Sequence, residues 1–276
     1  MRGYPLYVGC SGFSYKDWVG TFYPPATDRS DFLTYYERFF SVVEINYTFY
    51  SMPHPFTMEG FITKTSSLRF SIKANRVFTH VRDYSPEDVE RFLKGVTPIL
   101  ESDRFIALLF QFPQSFSFSE EAMAFLRKLS GDFAGIDRAV ELRGRSWNRA
   151  KAFEEISLMG FVLVSVDAPK ESGVLVGPWK SVGSFNYVRL HGRNGERWHN
   201  HRKPYERYDY LYSVKELKEI KEKVLKLARS GETYVFFNNH YRGKGVLNAL
   251  WFKELLGERV SVPKSLSAAF SRRLWE

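Results

Sequence analysis

A (β/α)8 TIM-like barrel, built as one domain over residues 1–276, is the fold class that the sequence predicts. Three observations predict it. Short runs rich in β-branched and aromatic residues recur eight times along the chain. Helix-like stretches lie between them, and strands that alternate with helices pair in parallel. No Pro-, Gly- or Ser-rich linker divides the 276 residues, a length that suits one large α/β domain and that buries roughly 75% of its unfolded surface. A doubly wound open sheet is the competing topology.

The strand-like runs, in order, are LYVGCSG (6–12), VVEINYTFY (42–50), RFSIKANR (69–76), FIALLFQFP (105–113), AVELRGRSW (139–147), FVLVSVDAP (161–169), FNYVRLHGR (185–193) and TYVFFNNH (233–240). Four helices are marked between them. SDFLTYYERFF begins on Ser30 as an N-cap, and SPEDVERFLKGVTPILE has Ser85 as cap, Pro86 at the first helical position and Asp88 in the first turn. SEEAMAFLRKLSG runs from Ser119 to a C-capping Gly131, and SVKELKEIKEKVLKLARSG keeps helical spacing as far as Gly231. Segment 171–184 carries no helix signal, and NNHYRGKGVLNA leads into a last helix.

Composition narrows the class. Hydrophobic residues make up 44%, ordinary for a globular chain, while the aromatic share of 17% is high. Cys10 stands alone, which excludes an internal disulfide and suits a reducing, cytoplasmic location. No run of about 18 apolar residues occurs, so no membrane span is expected, and MRGYPLYVGCSG has no signal-peptide apolar region. The net charge of +9 favours an anionic partner, either a small molecule or nucleic acid.

Side chains alternate across a strand, and a barrel's outer face meets apolar helices. Placing Val43 and Ile45 outward turns Glu44 and Asn46 inward. The same phase turns in Ser71, Lys73 and Asn75, then Gln111, then Glu141 and Arg143. Placing Val164 and Val166 outward turns in Ser165 and Asp167, and Val188 and Leu190 leave Tyr187, Arg189 and His191. Val235 and Phe237 leave Asn238 and His240. These polar residues fall late in each run, at the C-terminal mouth where barrel sites are built. Charges there must pair, meet water or hold a ligand. Pairing would join Glu44 to Lys73, and Glu141 or Asp167 to Arg143 or Arg189.

The motifs that carry these residues resemble the YecE-like domain-of-unknown-function family. They are GCSGFSYKDWVGTFYP (9–24), EINYTFY (44–50), FSIKANRVFTH (70–80), LLFQFP (108–113), VELRGRSW (140–147), YVRLHG (187–192) and FNNHYRGKGVLNA (237–249). The resemblance implies a TIM-barrel-like fold and no established activity. Family versions usually carry Thr at Cys10 and Trp at Phe13, which argues against Cys10 as a nucleophile.

Three chemistries fit the mouth. Basic loops after strands seven and eight, with Gly243, Arg242 and Lys244 before a helix N-terminus, suit a phosphate. Glu44, Glu141, Asp167, His191 and His240, or His199 with His201, offer ligands for a divalent Zn, Mn or Mg ion. Glu44 and Glu141 could work as an acid–base pair, and Lys73 as a base or Schiff-base amine. The expected catalytic set is therefore Glu44, Lys73, Glu141, Asp167 and His191. The expected binding set is Ser11, Asn46, Asn75, Gln111, Arg143, Arg189, Trp198, Asn238, Asn239, His240, Gly243 and Lys244, with Trp198 and Tyr205 as exposed stacking platforms. An enzyme acting on a phosphate-bearing nucleotide or sugar phosphate, in its concrete form a metal-assisted phosphoesterase or nuclease, is the leading expectation. A non-catalytic binder of nucleic acid or another polyanion is the alternative.

Overall fold

The computed structural model describes residues 4–272. Within them one parallel sheet holds β1 (Leu6–Ser11), β2 (Val42–Ile45), β3 (Arg69–Lys73), β4 (Phe105–Gln111), β5 (Arg138–Glu141), β6 (Phe161–Leu163), β7 (Ser165–Asp167), β8 (Asn186–Leu190) and β9 (Thr233–Phe237). The strand order is β6-β5-β4-β3-β2-β1-β9-β8-β7. Its two ends are one chain segment broken at Val164. β6 pairs with β5, β7 pairs with β8, and the Val164 N–H donates to the Val140 carbonyl at 3.0 Å across the break. The sheet closes through this divided strand, so all eight predicted strands are present in a TIM-like barrel.

The surrounding helices are α1 (Phe32–Glu37), α2 (Pro55–Lys64), α3 (Pro86–Leu100), α4 (Glu120–Asp132), α5 (Ala150–Leu158), α6 (Gly195–His199), α7 (Val214–Leu227), α8 (Lys244–Leu255) and α9 (Ser267–Arg272). Ser85 with Asp88 and Ser213 with Glu216 form reciprocal capping boxes, and the Ser119 hydroxyl accepts the Ala122 N–H. Ser30 does not cap α1, which follows a 3-10 turn over Arg29–Asp31. Neither glycine ends its helix: Gly131 lies inside α4, and α7 stops at Leu227, before Gly231. The sequence reading misses α2 and α5 because neither starts on a Ser, Thr, Asp or Asn cap; His54 and Arg149 hold those positions. No helix of the described residues is long and apolar enough to cross a membrane.

Two apolar layers follow from strand alternation. Val43, Ile45, Phe70, Ile72, Phe110 and Val140 pack outward against the helices. Inside the barrel, Ala107, Leu109, Ala139, Tyr187 and Phe236 pack with Val162, Val164 and Val166. The sixth strand therefore runs in the phase opposite to the expected one, with its valines inward and Asp167 outward. Gly9 is where β1 and β2 approach closest, since a Cβ there would lie 2.1 Å from the Val42 carbonyl oxygen. Arg69 closes the N-terminal end, lying 5.2 Å over both Tyr7 and Tyr234 and pairing with Glu232 at 3.1 Å.

Cys10 belongs to the outer layer. It is fully buried, with its N–H on the Tyr36 hydroxyl at 2.8 Å, and burial pushes its thiol pKa up. A thiol-specific reagent is expected to leave Cys10 unmodified in the native protein and to react fully in denaturant. Rapid native labelling would contradict this placement.

Candidate active site

Arg189, from the end of β8, organises the barrel interior. Its Nε and Nη2 donate to the two oxygens of Glu44 at 2.9 and 2.7 Å, and its Nη1 donates to Glu141. Tyr187 donates to the same Glu44 at 2.7 Å, and its hydroxyl lies 2.8 Å from that of Ser71. Glu141 takes a further hydrogen bond from Arg143 Nε at 2.6 Å and one from His191 Nε2 at 3.2 Å, while Asn238 Nδ2 reaches His191 Nδ1 at 2.9 Å. Bidentate geometry suits Arg and not Lys for holding Glu44. The expected Glu44–Lys73 pair therefore does not form, and Arg189 takes that carboxylate.

The charges respond to this geometry. Burial, the largest single influence, would raise both carboxylates, but Arg189 together with Tyr187 and Lys73 for Glu44, and with Arg143 and His191 for Glu141, outweighs it, holding Glu44 below its usual value and Glu141 well below. Burial lowers His191 to about 4, despite the Glu141 charge, so its ring is neutral at pH 7. In that state Nε2–H donates to Glu141 and Nδ1 accepts from Asn238. Lys73 is held differently. Its amine donates to Gln111 Oε1 at 2.8 Å and sits 4.0 Å over the Phe49 ring. Burial, then repulsion from Arg189 and Arg143, lowers it to about 7.

Beside this cluster lies a cavity of about 340 Å³ lined by His80, Gln114, Arg143, Trp198, His199, His201 and Arg207, among others. Its size is at the lower end of small-molecule sites, roughly 300–1,000 Å³. Arg207 donates to His201 Nε2 at 2.8 Å, while Arg207 Nε and His201 Nδ1 are buried without partners. Burial and the nearby Lys73 and Arg143 charges lower His80 to about 4. His80 was not anticipated. It ends the FSIKANRVFTH motif and stands in a single π-helical turn, Val77–Val81, after the strand-like run RFSIKANR, where no strand phase could place it.

The structure thus gathers Glu44, Lys73, Gln111, Glu141, Arg143, Arg189, His191 and Asn238 at one rim, with Trp198 on the cavity wall. Ser11 pairs in register with Glu44, and its hydroxyl has no partner. Asp167 is corrected, and the other expected residues have these surroundings. Asp167 accepts from Arg193 Nε and Nη2, both at 2.8 Å, and from Tyr212 at 2.8 Å, in the outer layer away from Arg189. Asn75 is used within its own loop, donating to the Thr48 carbonyl at 2.9 Å and accepting the Val77 N–H. Asn239 ties Tyr210 and Asn248 together, and Asn46 borders a separate cavity of about 1060 Å³ between the loop after β1 and α2. His240 stacks on Tyr15, with ring centres 4.4 Å apart.

The phosphate loop after the last strand is also occupied by the protein itself. Lys244 pairs with Asp209 at 2.5 Å, and Asp17 takes the Arg242 N–H at 2.6 Å. Gly243, at φ 73°, serves the turn and faces Thr21. Trp198 is only 3% exposed and Tyr205 stacks on Tyr241 at 4.8 Å, so neither is a free platform. His199 is bound to the Ser172 carbonyl and His201 to Arg207, so they do not chelate together. Among the described residues no group of three or more His, Cys, Asp or Glu is placed to hold a metal ion. The inward acids are held by arginines instead, and the residues do not fit a divalent metal.

Because Asp167 anchors β7 to Arg193 and through it to Glu216 of α7, Asp167→Ala is expected to cost about 2–4 kcal/mol of stability in urea denaturation. A variant as stable as the wild type would contradict this anchoring role.

The fold is shared with solved proteins. A DUF72 family protein of Thermotoga maritima MSB8 superposes with a TM-score of 0.86 at 40% identity, covering 92% of this chain and 100% of that one. One of Enterococcus faecalis V583 gives 0.83 at 25% identity, covering 94% and 98%. The UPF0759 protein YunF of Bacillus subtilis (strain 168) is 30% identical over 271 residues, 91% of this chain and 94% of YunF. Residues 7–270 match the family described as "Protein of unknown function DUF72", and the chain belongs to that family.

Proposed function

We propose that the C-terminal mouth is the site of an enzyme that binds a small anionic molecule, bearing a phosphate or carboxylate, in the cavity lined by Arg143 and Arg207. One observation carries this reading. Cations exceed acids around the cavity, because Arg143 and Arg207 line it with no carboxylate among the lining residues, and Lys73 has no carboxylate within ion-pair range among the described residues. The unpartnered buried donors of Arg207 and His201 add to the demand for an acceptor. An anion supplies it. A metal-assisted phosphoesterase or nuclease finds less support, since Glu44 and Glu141 would have to leave Arg189 to bind an ion.

Calorimetric titration with inorganic phosphate and with pyruvate tests the reading. Arg143→Ala and Arg207→Ala are each expected to weaken binding about tenfold or more, the worth of one charge-assisted hydrogen bond. No binding by the wild type, or equal binding by both variants, would refute it. Arg202 and Lys203, both exposed on the loop over the mouth, favour a second reading, a polyanion surface. That reading requires affinity for single-stranded DNA that falls steeply with salt and that Arg202→Ala and Lys203→Ala reduce.

A further inference from the structure

We propose that Lys73 forms an imine with a carbonyl group carried by the anion that Arg143 holds. This rests on the reading of the mouth as an anion site and adds the substrate class: a 2-oxo acid or a phosphorylated aldehyde or ketone. The geometry isolates one amine from every acid around it. Glu44 is gripped by the Nε–Nη2 edge of Arg189, and Glu141 by Arg189 Nη1 and Arg143. Lys73 is left with a neutral acceptor, Gln111 Oε1 at 2.8 Å, and the face of Phe49 at 4.0 Å. The ring of His80, on the cavity wall, is 4.9 Å from that of Phe49. Arg143 borders the same cavity. Arg143 is also near enough to Lys73 for its charge to act on the amine, so an anionic group on Arg143 would bring an adjoining carbonyl toward it.

Lysine is an effective nucleophile only when neutral, and desolvation beside other cations favours that form. Burial and the Arg189 and Arg143 charges act on Lys73 in this sense, lowering it to about 7. In the reaction the lone pair of Nζ forms a bond to the carbonyl carbon, and the carbonyl π pair moves to oxygen, which takes a proton. Nitrogen releases one proton to solvent, and the hydroxyl takes a second proton from solvent and departs as water when the nitrogen lone pair forms the C=N bond. Amine, carbonyl and one proton give the protonated imine and water, with no change of oxidation state. The protonated imine then withdraws electrons from the adjoining carbon.

The test is trapping. The full chain is incubated at neutral pH with pyruvate or glycolaldehyde phosphate and reduced with sodium cyanoborohydride, then mapped by peptide mass spectrometry. The expected result is a reduced adduct on Lys73 exceeding that on any surface lysine by about tenfold or more, as a lowered pKa requires. Lys73→Arg should lose the adduct, whereas Lys94→Arg, at an exposed position of α3, should keep it. Labelling spread evenly over surface lysines, or no Lys73 adduct with either compound, overturns the inference. If phosphate and pyruvate still bind through Arg143 in that case, the anion site stands and only the imine falls; if neither binds, both fall.

Discussion

Arg189→Met is expected to destabilise the protein by about 3–5 kcal/mol, the cost of leaving buried carboxylates without their counter-charge. Glu44 and Glu141 are both fully buried, and Arg189 supplies three of the hydrogen bonds that they accept. Methionine fills much of the volume but returns none of those donors. The loss should show in urea denaturation as a lowered midpoint with little change in slope. It should also depend on pH in a defined direction. In the wild type both carboxylates are held below their usual values, so their contribution is present above about pH 4.5 and is lost as pH falls through the lowered folded values. In the variant, burial without Arg189 raises them, and folding then favours protonation. The difference between the two proteins should therefore shrink on acidification toward and below pH 4.5. Adding Glu44→Gln to Arg189→Met should recover part of the stability, because Glu44 then carries no unpaired charge while Glu141 keeps Arg143 as its partner. A variant as stable as the wild type at pH 7 would show that the cluster is solvated and not closed.

The same cluster shows what the sequence made legible. Strands β2, β3, β4, β5 and β8 each set polar residues between apolar ones, so alternation placed Glu44, Lys73, Gln111, Glu141, Arg189 and His191 on one axis before any contact was known. Alternation fails where both phases are apolar. In Phe161–Val166 only Ser165 breaks the apolar run, and choosing the polar residue as inward reverses the strand. Asp167 then appears to join the site, although its partners Arg193 and Tyr212 lie far along the chain in the outer layer. Alternation also ends where the strand ends. β2 stops at Ile45, β3 at Lys73 and β9 at Phe237, so Asn46, Asn75, Asn239 and His240 obey local loop geometry instead. The pairing pattern was less legible still. Glu44 could have met Lys73 or Arg189, and the planar fork of arginine against a two-oxygen acceptor decides it only once both are in place.

That outcome releases Lys73, and Lys73→Met should change the pH dependence of stability. The amine's ordinary value of 10.5 falls to about 7 in the folded chain, first through burial and then through the Arg189 and Arg143 charges. Below about pH 7 the folded and unfolded chains are both protonated there, and the folded chain bears a disfavoured charge. Between about 7 and 10.5 the unfolded chain binds a proton that the folded chain lacks, so stability rises with pH across that window. The full shift would amount to about 5 kcal/mol, but Lys73 is only partly enclosed and solvent screens it, which leaves an expected effect of about 2–3 kcal/mol. Methionine removes the titration. The variant should be more stable than the wild type near pH 6, and its advantage should fade by about pH 10, as read by urea midpoints across that range. Parallel profiles for the two proteins would mean an ordinary charged lysine, and the imine proposal would lose its chemical basis along with its trapping signal. A stabilising loss of a residue at the mouth is what a strained functional group predicts, because a fold under no such demand would place a neutral side chain there.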